Sequence, residues 1–160
     1  MNHPTRQRLQ LGLIVVLLLV IAAMAYKFIV VGSVEAAADG RTAIVLEPGE
    51  RDFVLREMRG FVAGLQQLSA ALARDDMKAA ADAARGMGLH AAHDAPVSLV
   101  AKLPLQFKTL GFGVHREFDA MAADAERVGD PRHTLGQLAG VLHRCVACHD
   151  AYQFKASVPP

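Results

Sequence analysis

The chain lacks tryptophan and has only two cysteines and two tyrosines in 160 residues. Two cysteines are too few for a zinc site unless histidines join them at ligand spacing. The formal net charge of +1 gives no pull toward nucleic acid. Beyond residue 34, Val and Ile are thin while Ala is abundant, which disfavours a sheet and favours helix. Residues 1–34 contain no acidic side chain, and their charges are Arg6, Arg8 and Lys27. Of 17 basic side chains three lie there, which leaves 14 against 16 acidic ones, a formal −2 for the remainder.

The missing charge marks the first segment. Leu9 to Tyr26 is an uncharged, mostly aliphatic run, and Phe28-Ile29-Val30-Val31 extends it past Lys27. About 20 apolar residues span a bilayer core, and Lys27 can snorkel to the interface. Arg6 and Arg8 ahead of the run put the N-terminus in the cytoplasm. The expectation is a single-pass anchor over 1–34 in a bacterial inner membrane, with the remainder in the periplasm. Ala36-Ala37-Ala38 offers a signal-peptidase site, but the apolar run is longer than the 7–15 residues of a typical signal core.

Residues 35–49 read as a linker, with Asp39-Gly40 and Pro48-Gly49 as turn signals. Ile44-Val45-Leu46 is short for a strand and is expected to pack as an extended lead-in. Residues 50–156 read as four amphipathic helices. The first starts near Glu50 and carries Val54, Met58, Phe61, Leu65, Leu68 and Leu72 on one stripe. Asp76 caps a shorter second helix bearing Met77, Ala80, Ala81, Ala84 and Met87. A connection rich in His and Pro, with one helical turn near 97–101, leads to a third helix over 105–128. That helix carries Phe107, Leu110, Val114, Phe118, Met121, Ala125 and Val128. Asp130-Pro131 starts the fourth, whose stripe is Leu135, Leu138, Leu142, Cys145, His149 and Tyr152. The fold class expected is all-α, an antiparallel four-helix bundle behind one membrane helix.

Both cysteines fall in Cys145-Val146-Ala147-Cys148-His149. C-x-x-C-H is the attachment signature of c-type haem: two thiols add to the vinyl groups and the imidazole ligates iron. On a helix the three residues stand at i, i+3 and i+4, neighbours on one face. A thioredoxin-like dithiol would want a βαβ setting, a zinc site would want more ligands, and a disulfide within one helix would constrain almost nothing.

A C-terminal C-x-x-C-H on the last helix of an exported bundle resembles the class II cytochromes c, the cytochrome c′/c556 family. Leu55-Arg56-Glu57-Met58-Arg59-Gly60 is similar to that family's first helix, where an Arg shortly precedes a haem-facing Met. The resemblance implies haem c held by Cys145 and Cys148, His149 as proximal iron ligand and Met58 on the distal side as candidate sixth ligand. It implies an electron carrier, not an enzyme, exchanging with redox proteins at the membrane, with homodimer pairing known in the family. Many members carry an Arg soon after the haem histidine; here Tyr152 is followed by Gln153. Two other functions stay open: a five-coordinate, NO- or CO-binding protein of the c′ type, and a haem-based sensor. His115 is a second candidate for the sixth position, or a boundary residue. His90 and His93 are expected in solvent, and His133 and His143 beside the fourth-helix stripe. Met77, Met87 and Met121 are expected in the core.

Overall fold

Helix boundaries follow the capping residues. In the computed structural model, which describes residues 3–157, the chain is mostly helical. The helices are α1 (His3–Ala25), α2 (Pro48–Leu72), α3 (Met77–Gly86), α4 (Val97–Lys102), α5 (Leu105–Val128) and α6 (Pro131–Ala151). Glu47 caps α2 in a reciprocal box with Glu50, with Pro48 at the first helical position. Asp76 caps α3 by accepting from the Ala79 N–H at 3.0 Å. Gly129, at φ +65°, ends α5 in the left-handed region, and Asp130 then accepts from the Arg132 N–H at 2.9 Å to start α6.

From residue 7 to the end of α1 no side chain is buried against the rest of the chain, and the apolar span over 7–31 is long enough to cross a membrane or to serve as a signal sequence. Residues 1 and 2 of the expected anchor lie outside the described residues. The helix passes into a π-helical stretch, Tyr26–Val31, and stops at Gly32. Its terminal carbonyls are capped by lysines: Lys27 Nζ donates to Gly32 O at 2.6 Å, and Lys108 Nζ of α5 donates to Phe28 O at 2.9 Å and Ile29 O at 3.2 Å. Gly32 sits on the backbone of Lys102–Pro104, and the Ser33 N–H donates to Lys102 O at 2.7 Å.

The stretch read as a linker is instead folded. β1 (Val34–Ala36), β2 (Thr42–Leu46) and β3 (Tyr152–Ala156) form one sheet in that order, β1–β2 antiparallel and β2–β3 parallel. The fold is therefore not purely α. Tyr152, expected on the α6 stripe, is where the backbone turns extended and pairs with Thr42. A parallel partner requires a long crossover, and here the whole helical body is that crossover. Such pairing leaves no local mark in residues 42–46. Ile44 and Leu46, two apart on one face, are fully buried.

α3 packs on both α2 and α5, and α5 packs on α6, whereas α2 and α6 hardly approach each other. Ala80, Ala81 and Ala84 bring α3 close, over a core of Leu68, Phe118, Met121, Leu138 and Val141. A second cluster, Ile44, Leu46, Val54, Leu99 and Leu103, closes the end of the body beside the sheet. The α6 core face differs from the expected stripe. Thr134, Leu138 and Val141 are buried, while Leu135 and Leu142 are exposed. The two stripes share Leu138 and Cys145, and the bulkier leucines masked the narrower face.

Gly32 and Gly40 both have positive φ, +70° and +87°, but only Gly32 is enclosed. A Cβ there meets Lys102 O and lies 2.7 Å from Pro104 N. Gly40→Ala should cost about 1–2 kcal/mol from backbone strain alone, and Gly32→Ala about 2–5 kcal/mol because overpacking adds to it. Thermal unfolding of the full chain in detergent, followed by circular dichroism, reads the difference; equal losses would contradict the packing of Gly32.

Candidate functional site

The apolar stripe of α2 is buried at both ends and only half-buried in its middle. Val54 and Leu68 are buried, while Met58, Phe61 and Leu65 are not. On α5 the same change occurs: Phe118, Met121 and Ala125 are buried, but Phe107, Leu110 and Val114 are half-buried. All six half-buried side chains line one cavity of about 300 Å³, within the range of small-ligand sites. α4 contributes Leu99 and Val100, with Leu103 just beyond its end, and α6 contributes Leu142, Cys145, Cys148 and His149. The walls are predominantly apolar, with Glu57, Lys108, His115 and Arg144 as polar members.

Cross-helix pairs fix the levels. α5 and α6 run antiparallel, with Asp124 facing Gln137 at 2.8 Å and Glu117 facing Arg144 at 2.7 Å, and beyond the end of α6 the Phe154 ring of β3 lies 5.4 Å from that of Phe107. Phe61 of α2 lies against His115 and Phe118 of α5, at ring distances of 5.1 and 5.7 Å. Phe61 is thus near the level of Cys145. Met58, about one helical turn toward the start of α2, is level with Cys148 and His149. All four candidate residues, Met58, Cys145, Cys148 and His149, line the same cavity from two helices. His149 is exposed, while Cys145 and Cys148 are half-buried and Cys145 packs against the main core.

Burial pushes both thiols above their ordinary pKa. Among the described residues, no three His, Cys, Asp or Glu side chains cluster as a ligand set. The chemistry present is two thiols and an imidazole at one end of an apolar space, with a thioether across it. That donor set fits covalent haem c, which Cys145 and Cys148 would attach and to whose iron His149 and Met58 would offer donor atoms.

His115 is not a boundary residue: it is 9% exposed. Its Nδ1 is 2.8 Å from Met87 O and 3.1 Å from Gly88 O, so it carries the proton and donates to them. The packing of α3 on α5 produces this burial, which a one-residue offset from an apolar stripe does not reveal. His90, His93 and His143 are exposed, and His133 lies 3.4 Å from Asp124. Met87 and Met121 are core, and Met77 packs at its edge. A search of protein-family models, curated proteins and solved structures finds no match to the chain.

α4, which covers the cavity, is tied to the start of α2. Lys102 Nζ pairs with Glu50 at 2.7 Å and Glu47 at 3.5 Å. Burial disfavours the charged form of Glu50, but hydrogen bonds from Lys102, Ser98 and the Glu47 N–H outweigh it, and its carboxyl sits below the ordinary 4.5. A depressed carboxyl stabilises the fold above that value and loses the contribution as pH falls through the folded pKa. Glu50→Gln keeps the capping box and should cost about 1–2 kcal/mol at pH 7. The gap from wild type should close as the melts are repeated toward pH 3. A gap that stays constant with pH would contradict the pairing.

Proposed function

We propose that the chain is a membrane-anchored class II cytochrome c, a carrier of single electrons in the periplasm at a bacterial inner membrane. On this reading α2, α3, α5 and α6 are a four-helix bundle around haem c. The observation that carries it is the meeting of Cys145, Cys148, His149 and Met58 on one apolar cavity. When bound, the haem supplies a one-electron Fe(III)/Fe(II) couple.

Cys145 and Cys148 would hold the group through thioethers, and their i, i+3 spacing presents both sulfurs from one side of α6. His149, on the following residue, would ligate iron as imidazole. Met58, level with it on α2, would bring its thioether to the sixth position, a soft ligand suited to the reduced metal. Phe61, Leu65 and Val114 give the cavity an apolar lining, and an apolar shell is one of the levers on potential. No base or nucleophile is required of the chain, in keeping with a carrier.

The seat of Gly32 supports an anchor over a removed leader. A cut after Ala38 would strip β1 from β2 and take Gly32 and Ser33 off Lys102–Pro104. Retention of α1 would confine electron exchange to partners at the membrane surface.

An absorption spectrum of the reduced protein tests the ligand set. Sharp low-spin α and β bands that ignore CO are expected for the wild type. Met58→Ala should give a high-spin spectrum that shifts with CO. A wild-type protein already high-spin and CO-sensitive would overturn Met58 ligation and assign the chain to the five-coordinate, gas-binding type.

A further inference from the structure

The last turn of α6 is held by a residue far away in the chain. Arg41, on the turn between β1 and β2, lies 108 residues before His149. Its Nη1 donates to the carbonyl oxygens of His149 at 3.3 Å and Tyr152 at 3.5 Å, and its Nη2 donates to Gln153 Oε1 at 3.3 Å. Asp39 grips the guanidinium from the other side, accepting from Nε at 2.8 Å with Nη2 at 2.7 Å. Gln153 Nε2 closes the cluster on Asp39 Oδ1 at 3.3 Å. One residue on, Thr42 pairs with Tyr152, so the contact continues into the β2–β3 ladder.

The final carbonyls of a helix have no intrahelical donor, and its C-terminal end favours a cation. The only basic side chain in the last turn of α6 is His149. As an iron ligand it would be neutral and turned toward the cavity, unable to serve that end. Arg41 meets both needs from outside the helix.

We propose that Arg41 is a positioning residue of the haem centre: it locks the backbone that carries His149 and sets a positive charge beside that ligand, partly offset by Asp39. This rests on the cytochrome reading. Reduction removes one positive charge from the iron, so a neighbouring cation favours the reduced form and a neighbouring carboxylate opposes it. Arg41 and Asp39 therefore pull the midpoint potential in opposite directions, which two merely structural residues would not do.

Redox titration of the haem-loaded full chain in detergent reads the signs. Arg41→Gln should lower the midpoint potential, Asp39→Asn should raise it, and Arg41→Lys should lie above Arg41→Gln because it keeps the charge. Amide hydrogen exchange over 148–154 in a haem-free Cys145→Ala/Cys148→Ala chain reads the lock without the cofactor, and adding Arg41→Gln should speed it. An unchanged potential in Arg41→Gln, shifts of one sign in both charge variants, or unchanged exchange would each overturn the proposal. A wild-type chain that holds no haem would instead overturn the cytochrome reading, and the exchange comparison would still report on the lock.

Discussion

The separation of α2 from α6 is the constraint on which the other contacts depend. α3 and α5 bridge the two at one end, where Leu68, Phe118, Met121 and Leu138 close over the alanines of α3. Toward the other end the apolar stripes of α2 and α5 continue into a cavity instead of a core. That end would be open without the sheet and α4. Ile44, Leu46, Leu99 and Leu103 are buried there because the chain returns twice to cover it, once before the helices and once after them.

The helix boundaries of this arrangement were largely readable in the sequence. Asp76, Gly129 and Asp130-Pro131 are local signals, and local signals specify helix ends. Periodicity put Met58 on the α2 stripe, whereas its place opposite His149 was implied only by the family resemblance. What escaped was every feature that depends on a distant partner. β2 is a strand because Tyr152–Ala156 pairs with it, His115 is buried because Met87 and Gly88 lie over it, and Arg41 reaches His149 across most of the sequence. The α6 face was misread for a different reason: Leu135 and Leu142 outweigh Thr134 and Val141 in a hydrophobic pattern, yet the smaller pair fits the close approach of α5.

The segment over 32–46 does more than connect. Gly32 and Ser33 seat the end of α1 on Lys102–Pro104, Arg41 holds the end of α6, and Ile44 and Leu46 floor the second cluster. Lys108 both lines the cavity and donates to carbonyls of the π-helical stretch that follows α1. The apolar N-terminal helix is thus joined to the walls of the candidate site by direct hydrogen bonds, not by a loose tether. For a proposed electron carrier, that connection would hold the redox centre near the point where the chain leaves the membrane.

The central claim is that Cys145 and Cys148 hold haem covalently. Intact mass spectrometry of the chain purified from membranes under denaturing conditions tests it most directly, with in-gel haem staining beside it. The account predicts a chain heavier by one haem, which stays attached after unfolding and disappears in the Cys145→Ala/Cys148→Ala variant. A wild-type chain at its bare polypeptide mass, or haem staining that survives loss of both cysteines, would contradict it.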